Sequence, residues 1–275
     1  MSSLQISQFG AWLKTYRSEK TARAYGGTLG LFQRLVGGDR PVNKDTANEF
    51  VQLLLKRGIA ASSVNRLLAA LKSYLVFSDA HDEARRIPLL KAFRKEAKFW
   101  TKLQVREFMT RCLTSFDKAL FYLTYCAALR ISEASAVNLD DIEFDRCRVR
   151  IKTKKQRGGN EYDYAVLDRR TLDALGEYIR YRKSECKALF TMNGTGRTNV
   201  DTLRRHFKSI MDQAKLEGTF HILRHSRAYE YVTSEPTPST IAIMKLLRHR
   251  SLTSTERYVH WLHTDSEAAM IPMGW

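Results

Sequence analysis

The sequence predicts a mainly α protein of the α+β class. An N-terminal helical bundle is followed by a second, mostly helical domain carrying one small antiparallel β-hairpin. Three observations predict it. Apolar residues recur at three- and four-residue spacing through residues 1–80. That periodicity is lost over the next stretch, where charges crowd together and Pro88 interrupts, so 81–98 is expected to be a linker between domains at 1–80 and 99–275. Period-two alternation stands out in one place, where Val149 and Ile151 alternate with Arg148, Arg150 and Lys152.

Taken in order, Ile6, Phe9, Leu13 and Tyr16 form the first helical stripe. Tyr25, Leu29, Phe32 and Leu35 form the second, which stops at Gly37-Gly38. Asn43 or Asp45 is placed to cap a third helix that runs to Lys56 and stops at Arg57-Gly58. Ser62 or Ser63 starts a fourth, with Val64, Leu67, Leu68, Leu71 and Leu75 inward. Arg23, Arg66 and Lys72 fall on outer faces of this bundle, where they suit a phosphate backbone. In the second domain Thr101 caps a helix, and the apolar run 116–129 reads as a buried central helix that delivers Arg130. The β-strand at 148–152 turns at Gly158-Gly159-Asn160 and returns through Tyr162, Tyr164 and Val166. Residues 148, 150, 152 and 154 share a face for as long as the strand stays regular, which sets Lys154 on the basic face. Another helix is expected over 169–186. Thr198-Asn199 then opens one with Arg204, Arg205 and Lys208 outside and Leu203, Phe207, Ile210 and Met211 inside, spaced to enter a groove or track phosphates.

Composition narrows the function classes. Lys and Arg total 46 against 29 acidic residues, a net charge of +17, and an excess of this size points to a polyanion, with double-stranded DNA first. The four cysteines are scattered without a CxxC pair, so neither a zinc site nor a disulfide framework is indicated. No apolar run reaches the ~18 residues of a membrane span, and the N-terminus lacks a signal-peptide pattern, so a cytoplasmic, DNA-associated protein is expected. No GxxxxGK[ST] loop is present, which argues against ATP use, and no carboxylate or Cys/His set suggests a metal.

The chemistry concentrates in HILRH (221–225), LLRH (246–249) and STERY (254–258), with ALRISE (128–133) upstream. His221 and Arg224 are three apart on one helix and reach the same side. Arg130 and Glu133 share the same spacing, and Thr253 with Glu256 fits a capping box leading to Tyr258. A tyrosine is only about one part in a thousand phenolate at neutral pH. Neighbouring arginines favour that form and match the non-bridging oxygens of a phosphodiester, whose transition state gains negative charge. A leaving 5′-oxygen needs a proton, which a lysine on a hairpin tip can supply.

Together these boxes resemble the tyrosine recombinases, the phage and plasmid integrases and Xer-type recombinases, over nearly the whole chain. ALRISE resembles the box around the family's first catalytic arginine, HILRHSRA its HxxR box, and LLRH with Tyr258 nine positions on its final His and nucleophilic Tyr. IKTKKQRGGNEY resembles the hairpin that bears the catalytic lysine, and TARAY (21–25) with residues 62–77 the core-binding domain. The resemblance implies a catalytic set of Arg130, Lys154, His221, Arg224, His249 and Tyr258, supported by Glu133, with Lys152 the alternative to Lys154. DNA contacts are expected from Arg23, Arg66, Lys72, Lys152, Arg204, Arg205, Lys208 and Arg248. It further implies site-specific recombination through a 3′-phosphotyrosyl intermediate, with no metal and no cofactor. Four protomers would hold two DNA sites, and accessory DNA-bending or directionality proteins are compatible partners. Type IB topoisomerase-like cleavage and religation, or a non-catalytic DNA-binding regulator, are the alternatives. Where the family commonly has glycine before its final His, this chain has Arg248, and only 17 residues, ending in MIPMGW, follow Tyr258.

Overall fold

The computed structural model describes residues 3–38, 40–92, 98–152, 162–192, 194, 196–234, 236 and 238–248. Lys154, His249 and Tyr258, with Thr253, Glu256 and the MIPMGW tail, lie outside the described residues. The chain divides into two compact units, Met1–Lys95 and Glu96–Trp275.

In the first unit α1 (Ser3–Tyr16), α2 (Glu19–Val36), α3 (Lys44–Lys56) and α4 (Ala61–Phe77) direct their apolar stripes onto one core. Phe9, Leu29, Phe32, Phe50, Leu68 and Leu71 are fully buried there. Asn43, rather than Asp45, caps α3. Its Oδ1 accepts from Thr46 N at 2.9 Å while the Thr46 hydroxyl accepts from Asn43 N at 3.0 Å, a reciprocal box. The fourth helix starts before either expected serine. Extended Ala60 supplies its carbonyl to Ser63 N and Val64 N at 2.8 and 3.0 Å, so no side-chain cap is used.

The expected linker at 81–98 begins too early. A short helix, α5 (His81–Arg86), occupies its first part, and Ala84 and Ile87 bury into the core of the first unit. Asn65 then clasps the chain beyond it, donating Nδ2 to Leu90 O at 2.9 Å and accepting Leu90 N at 2.8 Å. Two apolar residues on one turn are enough to seat a six-residue helix, and too few to register as a period.

In the second unit α6 (Lys102–Thr110) starts from a Thr101–Gln104 capping box, and α7 (Ser115–Cys126) from a Thr114–Asp117 box. Among the described residues, β1 (Ile142–Glu143), β2 (Arg148–Lys152) and β3 (Tyr162–Val166) form an antiparallel sheet in that order, with Arg150 opposite Tyr164 and Lys152 opposite Tyr162. The two-residue β1 was not expected, since two residues show no alternation. Val149 and Ile151 are buried, whereas Arg148 lies 4.1 Å over the Tyr164 ring and Arg150 4.9 Å over the Tyr162 ring. The expected parity therefore holds through Lys152.

Helix α9 (Arg169–Tyr181) stops short of Cys186, because Arg182 turns extended and donates Nη2 to the Cys186 and Ala188 carbonyls at 2.7 and 2.9 Å. It is followed by α10 (Val200–Gln213), α11 (His221–Val232) and α12 (Thr240–Leu246). The main core includes Leu120, Leu123, Leu175, Phe190, Phe207 and Leu223, and a smaller cluster of Ala128, Ala228, Val232, Ile243 and Leu247 joins α11 to α12. Among the described residues no helix is long and apolar enough to cross a membrane.

Candidate active site

The site is built on two helix ends. α7 stops at Cys126 rather than Leu129 because Ala128 turns left-handed, φ 47°. Leu129 N donates to Thr124 O and Ala128 N to Tyr125 O, both at 3.1 Å, the paired bonds of a Schellman end. α12 also ends on a left-handed residue: Arg248, φ 48°, donates its N–H to Lys245 O at 3.0 Å. A left-handed conformation costs a residue with a Cβ roughly 1–2 kcal/mol, which is why glycine is favoured at such ends.

Arg130 follows the first turn and caps α8 (Ile131–Ala136) with extended backbone. Glu133, one turn on, accepts from Arg130 N at 2.8 Å through one carboxylate oxygen and from Arg130 Nη1 at 2.6 Å through the other. The Arg130 side chain keeps 38% of its surface exposed, so a pinned guanidinium still faces solvent. Burial acts to raise the Glu133 pKa. The charge of Arg248, the Arg130 N–H and the Arg130 guanidinium outweigh it and hold the carboxyl below its usual range.

Arg224 on α11 is 3% exposed and ties the two turns together. Its Nη1 donates to Ala128 O at 2.5 Å and its Nη2 to Leu247 O. His221, at the first position of the same helix, stays exposed. Its imidazole is nevertheless held below its usual pKa by partial burial, then by the charges of Arg224, Arg130 and Arg204, with Glu133 opposing them. That shift favours the neutral ring. Removing one of those cations moves the pKa back up, so Arg204→Ala is expected to raise the His221 midpoint towards the ordinary value of about 6.5. An NMR titration of the imidazole resonances measures this directly, and an unchanged midpoint would put Arg204 out of electrical reach of the ring.

The arrangement brings Arg130, Glu133, His221 and Arg224 together, with guanidinium groups outnumbering the one carboxylate, a setting suited to an anion with two non-bridging oxygens such as a phosphodiester. Arg248 is a correction. Expected to face DNA, its side chain is only 5% exposed and turns inward, because the left-handed backbone points it back at the Ala127–Ala128 turn. Arg204, Arg205 and Lys208 stay exposed on α10 around a shallow groove of about 610 Å³, with Arg204 paired to Asp201 and Lys208 to Asp212. Arg23 and Arg66 are exposed, Lys72 half-buried, and Lys152 exposed at the end of β2. Sequence reading missed the carbonyls of Ala128 and Leu247 as anchors, and the nearness of Arg204 to His221. Backbone acceptors carry no residue-type signal, and a contact between α10 and α11 is not a local pattern. Among the described residues, no group of three or more His, Cys, Asp or Glu side chains converges as a metal site requires.

Residues 98–264 match the phage integrase family, and residues 6–80 match the phage integrase N-terminal SAM-like domain. The chain belongs to the phage integrase family. It is a tyrosine-type site-specific recombinase, as its relatives also indicate. Tyrosine recombinase XerA of Pyrococcus horikoshii is 26% identical over 257 residues, covering 92% of this chain and 87% of that protein. Tyrosine recombinase XerC of Roseiflexus sp. is 29% identical, covering 82% and 77%. Two solved structures share the fold. XerH site-specific recombinase bound to palindromic difH substrate superposes with a TM-score of 0.76 at 17% identity, covering 98% of this chain and 84% of that one. The Tn1549 transposon integrase in complex with transposon right end DNA gives 0.75 at 13% identity, covering 97% and 99%.

Proposed function

We propose that this recombinase cuts and rejoins double-stranded DNA with Tyr258 as nucleophile, in a tetramer that holds two DNA sites. The observation that supports this best is the convergence of Arg130, Arg224 and His221, from segments about 90 residues apart in the chain, around one carboxylate and one left-handed carbonyl. In the proposed step the Tyr258 phenolic oxygen bonds to the scissile phosphorus and the bond to the 5′-oxygen breaks. The phenolic proton passes to neutral His221, and the leaving oxygen takes a proton from Lys154, or from Lys152 in its place. Arg130 and Arg224, with His249, hold the non-bridging oxygens as negative charge builds. The 5′-hydroxyl of a partner strand then attacks the 3′-phosphotyrosyl link. The phosphodiester energy is kept in that link, so the exchange needs no added cofactor.

The N-terminal unit is proposed as the second half of a DNA clamp. A groove of about 580 Å³ between α2 and α4 is lined by Lys20, Thr21, Tyr25, Ser63 and Arg66, groups suited to phosphate and base edges. The setting is the cytoplasm, at the nucleoid, with accessory DNA-bending or directionality proteins as further partners. The test uses nicked suicide duplexes tiled across the DNA flanking the protein's own gene: one of them should trap the chain covalently, and no trapping on any tile counts against catalysis. A 5′-bridging phosphorothiolate then isolates the general acid, because a thiolate leaves without a proton. Lys154→Ala should cleave such a duplex at near wild-type rate while failing on the oxygen substrate, and Arg130→Ala should fail on both. If Lys154→Ala stays inactive on the phosphorothiolate, Lys154 is not the acid.

A further inference from the structure

The Arg248 side chain is spent on no solvent-facing role. Its Nη1 donates to Ala127 O at 2.9 Å and Leu246 O at 3.1 Å, and its Nη2 to Ala128 O at 2.9 Å and Glu133 Oε2 at 3.3 Å. It does this from a left-handed position that a glycine occupies without strain. We propose that Arg248 is a positioning residue for strand cleavage: its guanidinium fastens the turn that precedes His249 to the turn that precedes Arg130, and holds the carboxylate that pins Arg130. The inference rests on the recombinase reading for its kinetic consequence, and on geometry alone for the brace.

The acceptors explain why an arginine serves here. Ala127, Ala128 and Leu246 offer carbonyls at two helix ends, where intrahelical donors run out. A planar guanidinium with five N–H groups reaches several such acceptors at once, whereas an ammonium on the same stem acts as a point charge. Arg224 ties the same two turns from the other side, through Ala128 O and Leu247 O. The Ala128 carbonyl thus accepts from both guanidiniums, and Glu133 from both Arg130 and Arg248. Glu133 is faced by Arg130 on its own turn and by Arg248 from the end of α12, and its charge also acts on His221 of α11. Loss of Arg248 removes the larger of the two guanidinium charge effects that keep this carboxyl ionised, while the Arg130 hydrogen bonds remain.

Arg248→Gly relieves the backbone and deletes the brace. Two readouts follow. On a trapping duplex at saturating concentration, single-turnover cleavage should fall about 10- to 100-fold, the scale of a small misplacement of catalytic groups, while the dissociation constant for the same duplex stays within about twofold of wild type. Independently of DNA, the Glu133 side-chain carboxyl followed by NMR should titrate at higher pH in Arg248→Gly than in wild type. Should Arg248→Gly not fold, Arg248→Lys is measured in its place: it keeps the charge, cannot span the four acceptors, and should show the same loss of rate. Wild-type cleavage rate at saturation in a folded variant overturns the proposal, and so does weakened binding with an unchanged rate, which would make Arg248 a DNA contact. An unmoved Glu133 midpoint in Arg248→Gly overturns the brace even where no duplex traps the wild type, an outcome that by itself counts only against the recombinase chemistry.

Discussion

Tyr258→Phe should form no covalent adduct on a nicked suicide duplex that traps the wild-type chain. Removing a covalent nucleophile costs on the order of 10⁶-fold in rate, so the expected result is the absence of an adduct band. Phenylalanine differs from tyrosine by one hydroxyl, so band shifts on the same duplex should be unchanged, separating lost chemistry from lost binding. The chain has twelve tyrosines, and two of the described ones are poor substitutes. Tyr125 donates its hydroxyl to Glu230 at 2.9 Å, and burial, then the Glu230 charge, push its pKa far above the usual phenol value. Tyr178 is buried and accepts from Thr191 N at 3.3 Å. An adduct formed by Tyr258→Phe would show that another tyrosine attacks, and peptide mapping would identify it.

The sequence points to Tyr258 for a reason different from the one that made the bundle legible. Phe9, Phe32, Phe50 and Leu68 announce their helices because burial selects apolar residues at the helical repeat, and the repeat is visible in the chain. Arg130, His221, Arg224, His249 and Tyr258 stand out because the proposed reaction calls for those groups at those spacings. What stayed hidden depends on backbone direction. Nothing in the identity of Ala128 or Arg248 says that each ends a helix left-handed, because glycine is the usual signal there and both positions lack it. Since a side chain follows its backbone, the inward course of Arg248 was equally hidden, and a cation in a basic chain was read as a DNA contact. Short elements failed for a related reason. α5 has six residues and β1 two, less than two repeats of the helical or strand pattern, and tertiary contacts hold them, as when Glu83 of α5 accepts from Lys44 N at 3.2 Å.

Arg224→Ala is expected to lose cleavage and stability together, unlike Arg130→Ala. In the proposed step each deletes a donor to the phosphorane-like transition state, and one such donor is typically worth about 10²- to 10³-fold in rate. The difference lies in what each leaves behind. Arg130 is partly exposed, and without its side chain Glu133 still accepts from the Arg130 backbone N–H and from Arg248. Arg130→Ala should therefore cut the rate with a small change in unfolding free energy. Arg224 is buried, and its loss leaves the Leu247 carbonyl without that donor and opens a void beside Ala128 and Leu247. Leaving a buried carbonyl without its charged donor costs about 1–3 kcal/mol, enough to lower a urea midpoint by roughly 1 M at ordinary slopes. Arg224→Lys fills most of the volume and keeps the charge, but cannot serve Ala128 and Leu247 in one plane. It should recover part of the stability and little of the rate. If Arg224→Ala keeps the wild-type urea midpoint, the tie between the ends of α7 and α12 is not made by Arg224. If Arg224→Lys restores cleavage in full, charge alone suffices, and the bidentate geometry assigned to Arg224 is wrong.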